Sequence, residues 1–364
     1  MRRRARRHLR AQRRRLPGPL AAHSLRRRRA RHPATVRQGG TVWLTWRLSK
    51  KTDVNVINCL RRAGNGGNMM LASDFRLESR RAAMGGWNMI DDSIATARIA
   101  YRRDGAAVIR DVLDTGWIER MRAAVERVIS APSASAVEYT PGGAPGRYVG
   151  DFFVWMRDAD FRALMLESPL PALAQSLMQS QETRLFYDQL LVKEPGTREE
   201  TPWHQDLPYW PVKGEDVLSL WVPLDPVRLE TGAVQYARGS HAEGHFYAPR
   251  AFSAGSGFAD LYARMNLEPL PSEAEIRDRH EILCFETQPG DVVVHHPLAL
   301  HYSAGNLSPT VRRRAIAIRY LGDDARWDAR PGTFVEKESI RTGLLAPLDF
   351  ADGARLDGPN FPRC

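Results

Sequence analysis

Between Arg184 and Leu321 the sequence is cut into short β-branched and aromatic runs by turn signals. Arg184–Lys193 (RLFYDQLLVK), Val217–Leu224 (VLSLWVPL), Gly232–Ala237 (GAVQYA), Glu281–Glu286, Asp291–His295 and Arg313–Leu321 have strand length and composition. Glu194-Pro-Gly, Arg238-Gly-Ser and Gln288-Pro-Gly-Asp punctuate them. Helical texture comes first. Ile94, Ala97, Ile99 and Ala100 suit a short helix that starts near Ile90 and stops at Gly105, and Ala106–Leu113 reads as a strand. Asp114 or Thr115 can cap a helix over Gly116–Ile129, with Ile118, Met121, Ala124, Val125 and Val128 on one face. Residues 131–146, rich in Pro, Ser, Gly and Ala, read as a loop, and Asp158–Glu167 and Pro171–Met178 as two further helices. Helices followed by many short strands predict an α+β chain whose body is a β-sandwich or closed double sheet.

The chemistry concentrates in Thr201–Asp206 (TPWHQD). Residues two apart on a strand share a face, so His204 and Asp206 can reach one point while Gln205 turns away. An imidazole and a carboxylate are two legs of a 2-His-1-carboxylate metal site, a ligand set that leaves positions open on iron(II) for a cosubstrate and O2. An HxD tripeptide alone is common. Its weight here comes from residues 290–320, which supply a Gly-Asp turn, a β-branched strand, His301 and then an arginine-led strand. A cation one strand beyond the distal histidine suits the far carboxylate of 2-oxoglutarate, which a guanidinium grips with two hydrogen bonds. Arg313, Ala315, Ala317 and Arg319 alternate onto one face, and the alanines leave room beside Arg313.

With these motifs in this order, residues 98–335 resemble the phytanoyl-CoA dioxygenase family, a branch of the 2-oxoglutarate oxygenases. The likeness runs through Asp188–Lys193, the WHQD core, Leu220–Asp225, Glu230–Ala233 with Gly239-Ser-His241, and the segment from His301 to Ala315. It implies a double-stranded β-helix (jelly-roll, cupin-like) core with flanking N-terminal helices. It also implies iron(II) on His204, Asp206 and His301, 2-oxoglutarate lined by Arg313, Ser303, Trp221 and Gln189, and O2 as co-reactant. Related halogenases replace the carboxylate ligand with a small residue, so Asp206 implies hydroxylation of a small-molecule substrate, with release of succinate and CO2. The spacing from His301 to the arginines is about one residue longer than the family pattern, which keeps Arg312 open beside Arg313.

Other conspicuous residues have ordinary roles to weigh. His295 and His296 end a core strand, where histidines usually hydrogen-bond rather than ligate; Pro297 then stops regular pairing. His241 suits a loop tie. Lys193, Tyr187 and Asp188 suit either substrate contact or ordinary strand positions. Trp203, Tyr209 and Trp210 suit a substrate wall or aromatic packing. A cupin-like metal enzyme that does not use 2-oxoglutarate shares the triad but has no need of Arg313.

The net charge of +11 belongs to one end. Residues 1–51 hold 16 Arg and two Lys with no acid, a segment of +18, which leaves −7 for the remainder. Of three roles for this tail, a start assigned too early ranks first, with Met69, Met70, Met84 or Met89 as the true one. An organellar import signal ranks second and a nucleic-acid arm last. Gly64–Gly67 reads as a breaker, and the whole of 1–88 is expected to lack a fold. The expected division is therefore 1–88, an oxygenase domain over 89–335, and a wrapped or loose tail over 336–364. The acidic body argues against a nucleic-acid partner. No apolar run approaches the ~20 residues of a membrane-spanning helix. Three scattered cysteines, Cys59, Cys284 and Cys364, suit a reduced cytoplasmic protein.

Overall fold

The computed structural model describes residues 34–38, 41–45, 86–249, 267–331, 333, 335 and 343–364. The chain divides into two units, 1–55 and 56–364. In the first, β1 (Ala34–Gln38) pairs antiparallel with β2 (Thr41–Thr45). This hairpin stands inside the segment expected to lack a fold. Thr35, Val36, Thr41, Val42 and Trp43 are strand formers overshadowed by the surrounding arginines. The rest of 1–85, including the Gly64–Gly67 breaker, the candidate starts at Met69, Met70 and Met84, and Cys59, lies outside the described residues.

The first described element of the second unit is α1 (Gly86–Asp104), which begins before both Ile90 and the expected boundary at residue 89. After β3 (Ala106–Ile109) comes α2 (Thr115–Ser130), started by Asp114, whose Oδ1 accepts from the Trp117 amide at 2.9 Å. The stretch expected as loop carries β4 (Val137–Glu138), which pairs with β5 (Tyr148–Phe152). Then come α3 (Ala159–Glu167), capped by Asp158, and α4 (Leu170–Met178).

From here the chain alternates between two sheets. β6 (Arg184–Lys193), β9 (Val217–Pro223), β12 (Val292–His295) and β14 (Arg313–Leu321) belong to a seven-stranded sheet of order β3-β12-β9-β14-β6-β5-β4. β7 (Thr201–His204), β10 (Val234–Ala237), β11 (Ile282–Cys284) and β13 (His301–Ser303) form a four-stranded sheet of order β11-β10-β13-β7. β8 (Val212–Lys213) pairs with β15 (Arg326–Trp327). Successive strands crossing from sheet to sheet are the connectivity of a double-stranded β-helix, the jelly-roll fold that was expected.

Period-two alternation sorts the large sheet's residues between two cores. Ile316, Ile318 and Tyr320 on β14, with Leu218, Leu220 and Val222 on β9, pack against α1 to α4. Each such aliphatic side chain, fully removed from water, contributes ~1.5–3 kcal/mol. Ala315, Ala317, Trp221 and Val293 face the other way, toward Tyr236, Leu283 and Phe285 of the small sheet. That inner space holds the site.

α5 (Glu273–Arg279) was not expected, because seven residues with one buried apolar side chain, Ile276, give almost no periodicity. The capping box formed by Ser272 and Glu275 was its one local signal. Of the C-terminal segment, residues 343–364 are wrapped. Leu345, Leu356 and Phe361 are buried with Phe186 and Trp210, and the Leu185 amide donates to the Pro362 carbonyl at 3.0 Å. Among the described residues no helix is long and apolar enough to cross a membrane.

Candidate metal centre

His204 ends β7 and His301 opens β13, and the two are cross-strand partners on the small sheet. Their ring centroids lie 4.0 Å apart. Each is oriented from behind by a carbonyl. His204 Nδ1 donates to Pro202 O at 2.8 Å, and His301 Nδ1 to Ala299 O at 2.9 Å. A carbonyl can only accept, so both rings carry their proton on Nδ1 and present the Nε2 lone pair inward. Burial drives the His301 ring toward its neutral form, with the neighbouring His204 adding to the effect and Asp206 opposing it.

Asp206 reaches the same point by a route the alternation argument did not anticipate. β7 stops at His204, and Asp206 has helical backbone (φ −78°, ψ −45°) where the turn Leu207–Tyr209 begins. The Asp206 and Leu207 amides both donate to Pro297 O, at 2.8 and 3.0 Å. A bent chain pinned by the loop after His296, rather than a shared strand face, aims the carboxylate. Gln205 does turn away, donating to His245 O and Leu298 O and accepting from the Tyr247 amide.

The donor atoms of His204, Asp206 and His301 all lie within 4.8 Å of one another, and all three residues are buried. Asp206 Oδ1 is the oxygen that faces the imidazoles, 3.7 Å from His204 Nε2 and 3.9 Å from His301 Nε2. Oδ2 accepts from Ser219 Oγ at 3.0 Å and from His295 Nε2 at 3.3 Å, with Arg319 Nη2 at 3.7 Å. Burial works to raise this carboxyl, but the Arg319 guanidinium, with the bond from His295, holds it well below the usual carboxylate range. Two neutral imidazoles and one carboxylate, converging in a buried place, form a donor set suited to a divalent first-row metal.

Arg313 lies further along the inner face of β14. Its side chain is buried, with the Trp221 ring 5.8 Å away, and its Nε has no partner. Among the described residues no carboxylate pairs with it. An unpaired buried guanidinium is strongly disfavoured, so this position calls for an anion. Arg312, the alternative, points outward and is held by Glu194 at 2.8 Å and by Glu126. Arg314 is likewise engaged, by Asp225.

Lys193, the cross-strand partner of Arg313, is buried rather than an ordinary surface strand residue. Its ammonium donates to Ser303 O at 3.1 Å, Ser303 Oγ at 3.2 Å and Ala304 O at 2.6 Å. Burial, and then the nearby Arg313 charge, push its pKa well down. The Ser303 hydroxyl is committed as well, donating to Gly232 O at 2.9 Å. Gln189 Oε1 accepts from Arg319 Nη2 at 3.2 Å.

The remaining candidates sort by face. The His296 ring lies outside the site, tilted against those of Tyr101 and His241, and its Nδ1 accepts from the Leu298 amide. Trp203 stacks on Tyr302 on the far side of the small sheet, whereas the edge of Tyr209 faces His204. Sequence reasoning missed Ser219, and it gave His295 and Arg319 no part beside Asp206. The available signal was parity: Ser219 shares a face with Trp221, and Arg319 with Arg313.

The sequence pattern of the family described as phytanoyl-CoA dioxygenase (PhyH) matches residues 101–315. The chain belongs to this family. A probable alpha-ketoglutarate-dependent hypophosphite dioxygenase of Stutzerimonas stutzeri is 33% identical over 150 residues, 40% of this chain and 48% of that protein. The match thus spans about half the length of this curated relative. The alpha ketoglutarate dependent carbocyclase SnoK from nogalamycin biosynthesis is 25% identical, with a TM-score of 0.56 over 74% of this chain and 95% of its own. The epimerase SnoN, solved with Fe3+, alpha ketoglutarate and nogalamycin RO, shares the fold. Its TM-score is 0.58 at 22% identity, over 75% of this chain and 98% of its own.

Proposed function

We propose that this chain is an Fe(II)- and 2-oxoglutarate-dependent dioxygenase that hydroxylates a small molecule and releases succinate and CO2. The observation that carries the proposal is the pairing of two features on one inner surface. One is a buried His204–Asp206–His301 donor set, and the other is a buried guanidinium, Arg313, that no carboxylate among the described residues pairs with. A metal enzyme without a dicarboxylate cosubstrate has use for the first and none for the second.

In this proposal His204, Asp206 and His301 hold the iron, and Arg313 takes the far carboxylate of 2-oxoglutarate. Trp221 forms the wall beneath it, and Ser303 and Gln189 border the same space. When bound, iron and 2-oxoglutarate supply oxidative decarboxylation with O2 and the oxidising power that hydroxylates the substrate. The protein's own part is geometric. Carbonyls fix the histidine tautomers, Ala315 and Ala317 keep the floor low beside Arg313, and the two packed sheets exclude water. A carboxylate at position 206 occupies the place a halide would need, which supports hydroxylation. The acidic balance of the chain beyond residue 51 gives no platform for nucleic acid.

The test is anaerobic reconstitution with Fe(II) and 2-oxoglutarate, then admission of O2 in a metabolite screen for substrate-stimulated succinate release. Metal binding without succinate formation from 2-oxoglutarate under any condition rejects the proposal in favour of a cupin-like enzyme of other chemistry.

A further inference from the structure

The small sheet supplies two donors to the candidate metal centre, and the large sheet supplies none. It instead presents a polar row to the back of the third donor. On the large sheet His295 of β12 is the cross-strand partner of Ser219 on β9, and Ser219 is the partner of Arg319 on β14. Three neighbouring strands therefore place a histidine, a hydroxyl and a guanidinium side by side on the inner face. All three converge on a single atom, Asp206 Oδ2, at 3.3, 3.0 and 3.7 Å.

His295 and Arg319 each have a further partner besides Asp206, and Ser219 is placed by its strand. An ionised carboxylate can only accept, so the His295 proton is on Nε2, aimed at Oδ2, and the neutral ring's Nδ1 meets the Tyr236 hydroxyl at 3.4 Å. Arg319 donates through Nη1 to Ala317 O at 3.1 Å and through Nη2 to Gln189 Oε1 at 3.2 Å. Its guanidinium lies 4.6 Å from the Tyr187 ring and 5.8 Å from that of Trp210. From the backbone side, Pro297 O anchors the Asp206 and Leu207 amides. The carboxylate is thus clamped at both ends, with only Oδ1 turned toward the imidazoles.

We infer that His295, Ser219 and Arg319 are positioning residues that lock Asp206 as a one-oxygen ligand, which keeps three metal positions open for cosubstrate and O2. The inference rests on the proposed metal role of His204, Asp206 and His301. For Asp206 to chelate through both oxygens, Oδ2 would have to leave all three partners. A chelating carboxylate would also take one of the positions that 2-oxoglutarate needs. The row has a second consequence: through Arg319 and Gln189 it ties the metal's carboxylate to a residue bordering the proposed cosubstrate space.

Cobalt(II) is the probe, titrated anaerobically into metal-free full-length protein. Affinity is read by equilibrium dialysis, and coordination by the ligand-field spectrum before and after 2-oxoglutarate is added. Wild type should bind Co(II) and His301→Ala should lose it; if wild type binds none, the metal assignment itself falls. Given that binding, Ser219→Ala, His295→Gln and Arg319→Met should each weaken Co(II) by ~10–100-fold, the usual effect of losing a partner behind a ligand. They should also alter the spectrum and blunt its response to 2-oxoglutarate. Arg319→Lys, which keeps the charge but not the planar fork, should recover part of the loss. If Arg319→Met does not fold, Ser219→Ala, which removes one oxygen atom, decides the matter. Folded variants with wild-type Co(II) affinity and an unchanged spectrum, beside a His301→Ala control that has lost the metal, overturn the inference and leave the metal assignment standing.

Discussion

Replacing Arg313 with methionine should have two effects of opposite sign. In the metal- and ligand-free protein, the Arg313 guanidinium is fully buried, and no described carboxylate neutralises it. Burial disfavours its charge, and the compensation it receives comes without direct contact from Asp225, a carboxylate already engaged by Arg314. Replacing buried ionic groups with well-packed apolar side chains is often neutral or gains up to ~1–4 kcal/mol, and a guanidinium with no direct partner falls at the favourable end. The free protein should therefore melt higher. In the complex the balance reverses. A charge-assisted buried pair lost from one side costs ~2–5 kcal/mol, and at ~1.4 kcal/mol per decade even the lower figure is about a 30-fold loss of affinity. Calorimetric titration of 2-oxoglutarate into Co(II)-loaded protein reads the second effect, and scanning calorimetry of the metal-free protein reads the first. Arg312→Met is the control. It removes a surface clasp on Glu194 and Glu126 and should leave 2-oxoglutarate affinity unchanged. If Arg313→Met lowers the melting temperature and binds 2-oxoglutarate as wild type does, Arg313 is a structural cation and its assignment to the cosubstrate is wrong.

His301→Ala should abolish metal retention while the fold persists, whereas His296→Ala, whose ring lies outside the site, should keep it; dialysis followed by metal analysis separates them. Asp188 is buried, one carboxyl oxygen accepts from the Trp155 amide, the other has no partner among the described residues, and burial raises its pKa to about 7. An acid whose folded pKa is raised stabilises the fold below its unfolded pKa of about 4 and loses that contribution as pH climbs toward 7. Asp188→Asn should therefore flatten the fall in melting temperature between pH 5 and pH 8; an unchanged slope would mean that Asp188 is ionised throughout. Beginning the chain at Met84, just ahead of α1, should shift the melting temperature by only a few degrees and leave Co(II) affinity intact, and a large drop in either would show that residues 1–83 support the rest.

What the sequence made legible is what local periodicity controls. β6 and β14 have the bounds that their composition and flanking turns predict, and the Ile316–Ile318–Tyr320 parity correctly divides β14 between the helix-side core and the inner face. Parity also separates Arg313 from Arg312, although their different surroundings come from Glu194 and Glu126, far away in the chain. Lys193 shows the limit of such reasoning. Nothing beside it in sequence says that a strand lysine will be buried, because its three acceptors belong to Ser303 and Ala304. β5 and α5 escaped for a plainer reason: five residues following a Gly-Pro loop, and seven mostly charged ones, carry too little pattern to stand out.

Asp206 marks the boundary between the two kinds of information most sharply. Its spacing from His204 suggested a shared strand face, and the two side chains do meet, but by a different mechanism. Strand pairing has ended, and the backbone is bent into a helical turn by the carbonyl of Pro297. That proline follows directly on the His295-His296 pair, so the loop that orients the carboxylate's backbone is continuous with the strand whose last residue grips its side chain. Residue 206 therefore stands between the two sheets: one carboxylate oxygen faces the histidines of the small sheet, and a row of the large sheet grips the other. A spacing motif can record that a histidine and an aspartate must converge. Which oxygen faces the imidazoles depends on the register of β9, β12 and β14, and register is a property of the assembled sheet.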